Sequence, residues 1–261
     1  MEWIRVLVAG AAGRMGREVV RAVCGQEDME LVGAVDRARV GEDAARVAGM
    51  EVTSVPIAAS LSDTIAQTSP DVAVDFTLPD SVMGNVETAL RAKVACVVGA
   101  TGLTPADLED LGALCQEMKT PCLVAPNFAI GAVLMMRFAV EAARHFDAAE
   151  IIELHHAGKV DAPSGTALRT ARMIAEASCG AGVPTPAEPP ARGQREAGIP
   201  IHSVRLPGLV AHQEVIFGAV GQTLTIRHDS ISRESFMPGV LLAIRKVRGL
   251  KGLVVGLEGV M

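Results

Sequence analysis

The run Ile4-Arg5-Val6-Leu7-Val8-Ala9-Gly10-Ala11-Ala12-Gly13-Arg14-Met15-Gly16 decides how the rest of the chain is read. Residues 4–9 are apolar apart from Arg5, the pattern of a parallel strand buried on both faces. They lead directly into glycines spaced GxxGxxG, and then into a helix carrying Met15, Val19, Val20 and Val23 along one stripe. Small residues at such a turn let the backbone approach a pyrophosphate, and the helix N-terminus favours its charge. The stretch predicts a Rossmann-like α/β domain built on a parallel sheet. Alone the motif is unspecific, because Ala12 stands where the common fingerprint has its second glycine. A tight turn without a ligand would use the same residues.

The neighbouring sequence adds weight. Residues 30–35 form a second apolar strand, and Asp36 follows it, 20 positions after Gly16. An acid at that point meets the adenosine ribose hydroxyls of NAD. Arg37 comes next and offers a partner for a 2′-phosphate, so NADH and NADPH both stay open. Further strands are predicted over 72–76, 95–100 and 121–125, with a helix through about Arg91 between the first two. Another helix starts at Pro105, capped by Thr104 with Asp107 three residues on. Thr77, Gly99-Ala100-Thr101-Gly102 and Pro126-Asn127-Phe128 fall at strand C-termini, the edge where open α/β sheets bind ligands. Ordinary turns use such residues too.

After Asn127 the pattern changes. A helix over 130–145 precedes a strand over 150–154 in which Ile and Leu mix with carboxylates. Then come His155, His156 and Lys159, followed by Pro163-Ser164-Gly165-Thr166 and a helix to residue 177. Ser164 is placed to cap that helix, whose N-terminal N–H groups favour an anion. Cations on one side and a helix mouth on the other suit a substrate with more than one carboxylate. Adjacent strand residues point to opposite faces, so His155 and His156 share a pocket only if the strand has ended before them.

Residues 179–200 are rich in Gly and Pro and are predicted to be a long loop, either an arm or lid or a segment packed on a neighbouring subunit. Extended segments over 199–205, 210–217 and 222–228 have the look of antiparallel strands with one wet face. Two domains are expected: 1–128 for the dinucleotide, completed by a C-terminal helix over 238–261, and a mixed-sheet α+β domain over 129–237 for substrate and oligomerisation.

Composition narrows the class. The 261 residues suffice for two domains, and 49% hydrophobic with 21% charged residues is ordinary for a globule with a buried sheet. A net charge of −6 argues against a general nucleic-acid binder but not against a local basic pocket. No apolar run reaches the ~18 residues that mark a membrane span. The N-terminus has neither a basic n-region nor a cleavage site, so no signal peptide is expected, and the cytoplasm is the expected compartment. The five cysteines lack metal-ligand spacing and their number is odd, so reduced thiols and no metal are expected. With no tyrosine in the chain, a Tyr–Lys proton relay is excluded, and a proton must come from His, Lys, an acid or water.

The string Glu153-Leu154-His155-His156-x-x-Lys159-x-Asp161-x-Pro163-Ser164-Gly165-Thr166-Ala167 closely resembles the signature of the dihydrodipicolinate reductase family. The likeness extends to Asp75-Phe76-Thr77, Ala125-Pro126-Asn127-Phe128, Ile201 through Gly208, and Arg233 with Phe236. It implies NAD(P)H-dependent reduction of a cyclic imine dicarboxylate to tetrahydrodipicolinate, in lysine and diaminopimelate synthesis, by a homotetramer. His155 falls where the family has its acid/base, Lys159 where it has its proton donor, and His156 with Gly165 and Thr166 where it holds the substrate carboxylates. The cofactor would lie along Gly10, Ala11, Ala12, Gly13, Arg14 and Met15, then Asp36 and Arg37, Gly99, Ala100 and Thr101, and Ala125, Pro126, Asn127 and Phe128. Phe76 and Thr77 would sit near the nicotinamide. Many relatives have Glu for Asp36 and Thr for Ala100, which bears on nucleotide preference and not on the reaction. Closure of the two domains is the expected way to bring nicotinamide to substrate and exclude water.

Two competing readings share the Gly-rich turn. One is a nicotinamide-dependent amino- or keto-diacid dehydrogenase such as an aspartate dehydrogenase, which has no reason to carry the Pro-Ser-Gly-Thr helix start. The other is a non-enzymatic dinucleotide sensor, for which the sequence offers no basic recognition helix or interaction tail.

Overall fold

In the computed structural model, which describes residues 3–100, 102–178 and 190–261, short apolar runs alternate with helices through the first half of the chain. β1 (Ile4–Ala9) feeds α1 (Arg14–Cys24), whose Val19, Val20 and Val23 are fully buried. β2 (Met29–Val35) pairs in parallel with β1. Next come α2 (Ala44–Val47), β3 (Ile57–Ala58) and α3 (Leu61–Thr68), none of them anticipated from the sequence. They are too short for a periodic signal, and side-chain caps from Asp43 and Ser60 help define the two helices. β4 (Val72–Asp75), α4 (Pro79–Arg91), β5 (Ala95–Val98), α5 (Pro105–Met118) and β6 (Cys122–Val124) continue the alternation. At α5 the Thr104–Asp107 pair forms a full capping box, and Pro105 occupies the first turn, where its missing N–H is harmless.

The second unit opens with α6 (Ile130–Ala143) and β7 (Ala148–His155). It continues through α7 (Gly165–Ala177), β8 (Gln194–Glu196), β9 (Ile199–Arg205), β10 (Ala211–Ala219) and β11 (Gln222–Ser230). The expected loop is thereby corrected at its end, since Gln194–Glu196 pairs antiparallel with β9. Three mostly polar residues carry no alternation by which to recognise a strand, and residues 179–189 of that loop lie outside the described residues. Its sheet runs β11-β10-β7-β9-β8, with β7 and β9 parallel and the other pairs antiparallel. Ala149, Ile151, Glu153, Ile201, Gln213, Val215 and Phe217 are buried on the face covered by α6 and α7. Ile152, Leu154, His212, Glu214 and Ile216, on the alternate positions, are half-buried.

The C-terminal segment requires a second correction. The last helix, α8 (Met237–Val247), is shorter than the expected 238–261. Gly249 and Gly252 interrupt the helical pattern, Gly252 at φ +68°, and β12 (Leu253–Val255) then pairs in parallel with β6. The first sheet therefore has seven strands in the order β12-β6-β5-β4-β1-β2-β3. The chain divides into two compact units, Met1–Phe128 with Phe236–Met261, and Ala129–Ser235. Within the first, α8 packs on α1, β4, β5 and β6, burying Val240, Ile244 and Val247. Gly239 makes this approach possible, because a Cβ there would lie 2.0 Å from the Phe128 carbonyl oxygen.

Candidate active site

The first turn is closed by its own backbone. Gly10 and Ala11 donate N–H to the Val35 carbonyl at 2.8 and 3.1 Å, and Gly13 donates to that of Gly10 at 3.0 Å. A side chain at Gly16 would put Cβ 1.9 Å from the Gly10 oxygen, and Gly10 itself sits at φ +80°. Only glycine fits either position. No side chain caps Gly13 and no acid occupies the first turn of α1, so the helix N-terminus keeps its free donors and its positive end. Gly10, Ala12, Gly13, Asp36, Arg37, Phe76 and Thr77 line one cavity of about 450 Å³, a size within the usual range for small-ligand pockets. A backbone cradle that a methyl would fill, an uncapped helix mouth and an acid at the rim together fit a dinucleotide.

Asp36 is already engaged by the backbone. Its carboxylate accepts from Ala12 N and Ala38 N, both at 2.9 Å, so it braces the turn as well as lining the cavity. Arg37 reaches the Ser81 hydroxyl at 3.3 Å on the same rim. Ala11 is fully buried, while Arg14 and Met15 occupy the first helical turn and do not line the cavity. Gly99 and Ala100 follow β5, and Ala125 to Phe128 follow β6; neither group reaches the cavity wall. They meet it through Phe76, whose ring packs on Gly99 where any Cβ would clash, and stands 5.7 Å from the ring of Phe128. Thr101 lies outside the described residues.

Two contributors escaped the sequence reading, and a third, Asp75, entered it only through the family likeness. Ser81 and Asn85 on α4 line the cavity, and the buried Asp75 lies beneath it. Burial pushes the Asp75 carboxyl above its ordinary range, while hydrogen bonds from Thr77 and Asn85 oppose the shift. The Asp75 carboxylate thus fixes Thr77, through its N–H at 2.8 Å and its hydroxyl at 2.7 Å, and Asn85 at 2.8 Å. Nothing local announces a contact between residues ten apart across a strand end.

The second site is built on β7. Contrary to the expected end at residue 154, the strand runs through His155, because His155 still pairs in register with Ala211 and Arg205. His155 therefore shares a face with Glu153 and Ile151, and His156 is the first residue past the strand. Glu153 is fully buried. Its Oε2 meets His155 Nδ1 at 2.5 Å and Arg205 Nη1 at 2.9 Å; its Oε1 accepts from Arg205 Nη2 at 2.8 Å and from Ser164 N at 3.3 Å. Burial alone would raise this carboxyl, but the bonds from His155, Arg205 and Ser203 prevail and hold it at about 2.

Ser164 caps α7 through Ala167 N at 3.2 Å, leaving Gly165 exposed and Thr166 half-buried in the first turn. Open space surrounds the Gly165 Cα where a side chain would project. Lys159 Nζ holds both carboxylate oxygens of Asp161, at 2.7 and 2.8 Å, and the Asp161 carbonyl accepts from Arg205 at 2.6 Å. The His156 carbonyl accepts Lys159 N at 3.0 Å, closing the loop between the two. The structure thus ties His155, Lys159 and the α7 mouth into one hydrogen-bonded assembly, while among the described residues no side-chain bond joins His156 to it. Arg205, Asp161 and Glu153 were visible only as parts of the family likeness, with no role given to any of them.

A Rossmann-like sheet with a nucleotide-sized cavity, in a chain that also carries an imidazole–carboxylate pair beside a helix mouth, defines a dinucleotide-dependent oxidoreductase of two α/β units. Residues 4–128 match the family described as dihydrodipicolinate reductase, N-terminus, and residues 131–261 that described as dihydrodipicolinate reductase, C-terminus. The chain belongs to the dihydrodipicolinate reductase family. It is 52% identical over 261 residues to the 4-hydroxy-tetrahydrodipicolinate reductase of Moorella thermoacetica, covering 99% of this chain and 98% of that one. The Geobacillus kaustophilus enzyme of the same name is 51% identical, with 99% of each chain covered. A dipicolinate-bound dihydrodipicolinate reductase from a Paenisporosarcina species superposes with a TM-score of 0.86 at 45% identity, over 99% of this chain and 100% of that one. An amine dehydrogenase from Mycobacterium smegmatis, with a TM-score of 0.66 at 14% identity over 96% and 94% of the two chains, shares the fold alone. Membership in this reductase family implies NAD(P)H as the hydride source.

Proposed function

We infer that the chain catalyses the NAD(P)H-dependent reduction of 4-hydroxy-tetrahydrodipicolinate to tetrahydrodipicolinate, a step of lysine and diaminopimelate synthesis. The observation that carries this reading is the buried Glu153, which anchors both the His155 imidazole and the N-terminus of α7. A ring bearing two carboxylates needs anion-binding groups and a proton source within reach of each other. The α7 mouth at Gly165 and Thr166, with His156, supplies the first; His155 and Lys159 supply the second. With the 4-hydroxyl lost as water, hydride addition puts negative charge on the resulting unsaturated ring, and a nearby acid must quench it. The Lys159 ammonium stabilises that charge and delivers the proton, and Asp161 keeps it in the loop until substrate arrives.

NAD(P)H supplies the hydride when bound. Gly10, Gly13 and the first turn of α1 would hold its pyrophosphate, Asp36 the ribose hydroxyls, and Arg37 a 2′-phosphate. Phe76 and Thr77 would flank the nicotinamide. Asp36 and Arg37 together support use of either nucleotide. No described helix is long and apolar enough to cross a membrane, which accords with work in the cytoplasm. The half-buried face of the second sheet, bearing Ile152, Leu154 and Ile216, supports assembly into a homotetramer.

Oxidation of NADH and NADPH measured side by side, with the substrate freshly made by its synthase, tests this function. Turnover with both nucleotides is expected, and none with aspartate. Reduction of NAD+ or NADP+ by aspartate, with no oxidation of NADH or NADPH by the synthase product, would favour a diacid dehydrogenase; neither reaction would favour a sensor.

A further inference from the structure

Glu153 takes no part in the proton chemistry just described, yet every contact it makes bears on it. Among the described residues it is one of the largest fully buried side chains, and the only acid in that group. A buried carboxylate is retained only where charge and hydrogen bonds compensate its lost hydration. Here the Arg205 guanidinium grips it with two parallel bonds of 2.8 and 2.9 Å, the geometry that best fixes a carboxylate plane. Arg205 is itself fixed by the Val204 and Asp161 carbonyls at 2.8 and 2.6 Å. The carboxylate cannot rotate without losing that pair, so its Oε2 presents a stationary acceptor to His155 Nδ1 at 2.5 Å.

We propose that Glu153, clamped by Arg205, is the positioning residue for the reduction: it holds His155 as the Nδ1–H tautomer and sets its place relative to the mouth of α7. An ionised carboxylate only accepts, so the shared proton belongs to Nδ1 and the reactive nitrogen is Nε2. Among the described residues Nε2 makes no hydrogen bond, and the side chain is 14% exposed, enough for one edge to meet a ligand. The same carboxylate accepts Ser164 N on its other oxygen, so the imidazole and the carboxylate-binding helix start are indexed to one rigid group. That arrangement fixes the spacing across the eight residues between His155 and Ser164, a spacing matched to a rigid ring. This deepens the function proposed above and rests on it for the role of His155.

Glu153→Gln keeps the shape and removes the obligate acceptor, since an amide can also donate to Nδ1 and favour the other tautomer. We expect its kcat to fall at least tenfold while KM for the nucleotide stays within about threefold, the ceiling being the roughly 10²–10⁴ of a general acid. The doubly substituted Glu153→Gln/His155→Ala protein should be no slower than His155→Ala alone, because Glu153 acts through that imidazole. Equal, multiplying losses would make Glu153 a structural residue and overturn the proposal. Should Glu153→Gln not fold, nitrogen NMR of the ¹⁵N-histidine-labelled native protein decides instead. An Nδ1–H signature for His155 upholds the proposal and an Nε2–H signature refutes it. Full turnover by His155→Ala would mark failure of the underlying functional reading; loss there with unimpaired Glu153→Gln would mark failure of the positioning role alone.

Discussion

At the scale of single residues, the groups given a chemical role above are held by near neighbours that are themselves tied to partners distant in sequence. Lys159 is paired with Asp161 and linked through it to Arg205. Lys159→Ala is expected to remove most turnover while leaving NADH affinity nearly intact, and His155→Ala to lower kcat by roughly 10²–10⁴. Steady-state kinetics beside a direct NADH titration check both, and unaltered kinetics in the two variants would remove the mechanism. Asp36 has two tasks, since its carboxylate braces Ala12 and Ala38 and also lines the cavity. Asp36→Ala should therefore weaken both nucleotides but NADH more, as NADPH would keep the 2′-phosphate contact proposed for Arg37. Equal losses in calorimetric titrations with each nucleotide would refute the ribose contact.

Among the elements, the β1–α1 turn and the β7–β9 pair matter most. A methyl at Gly16 would collide with the Gly10 carbonyl at 1.9 Å, and the backbone on both sides is part of the cradle. Gly16→Ala should cost about 1–3 kcal/mol of stability by overpacking and reduce dinucleotide affinity, both readable by thermal melting with and without NADH. In the second unit, β7 and β9 are joined across their register by Glu153 and Arg205. The Glu153 carboxyl is held at about 2, below its ordinary 4.5. A depressed carboxylate stabilises the fold fully above its unfolded value, and that contribution fades as pH falls through the folded one. The fading belongs between about pH 4.5 and 2. The gap in urea midpoint between the native protein and Glu153→Gln should accordingly narrow from pH 6 to pH 3; a constant gap would mean the ionic bonds add nothing.

For the whole molecule, the proposed homotetramer makes a prediction about size in solution. Light scattering during gel filtration at micromolar concentration should return four chains, and a stable, active monomer would defeat the proposed use of the second sheet's half-buried face. Charged substitution at Ile152 or Ile216 on that face should shift the distribution towards smaller species.

The sequence by itself determined the strand–turn–helix opening, the alternation through β6, the change of pattern after Asn127 and the cluster of cations before a helix start. These are local patterns, written in periodicity, glycine placement and caps over a few consecutive residues. Tertiary structure alone decided that β12 completes the first sheet, that β8 borders the second, and that β7 runs through His155. Strands of three residues acquire their state from the partner they bond, which no window of sequence contains. The same holds for the clamp on Glu153, whose Arg205 lies 52 positions away and arrives only through the parallel register of β7 and β9. Only when folding brings that guanidinium against the carboxylate does an acidic strand residue become a fixed acceptor for the histidine beside it.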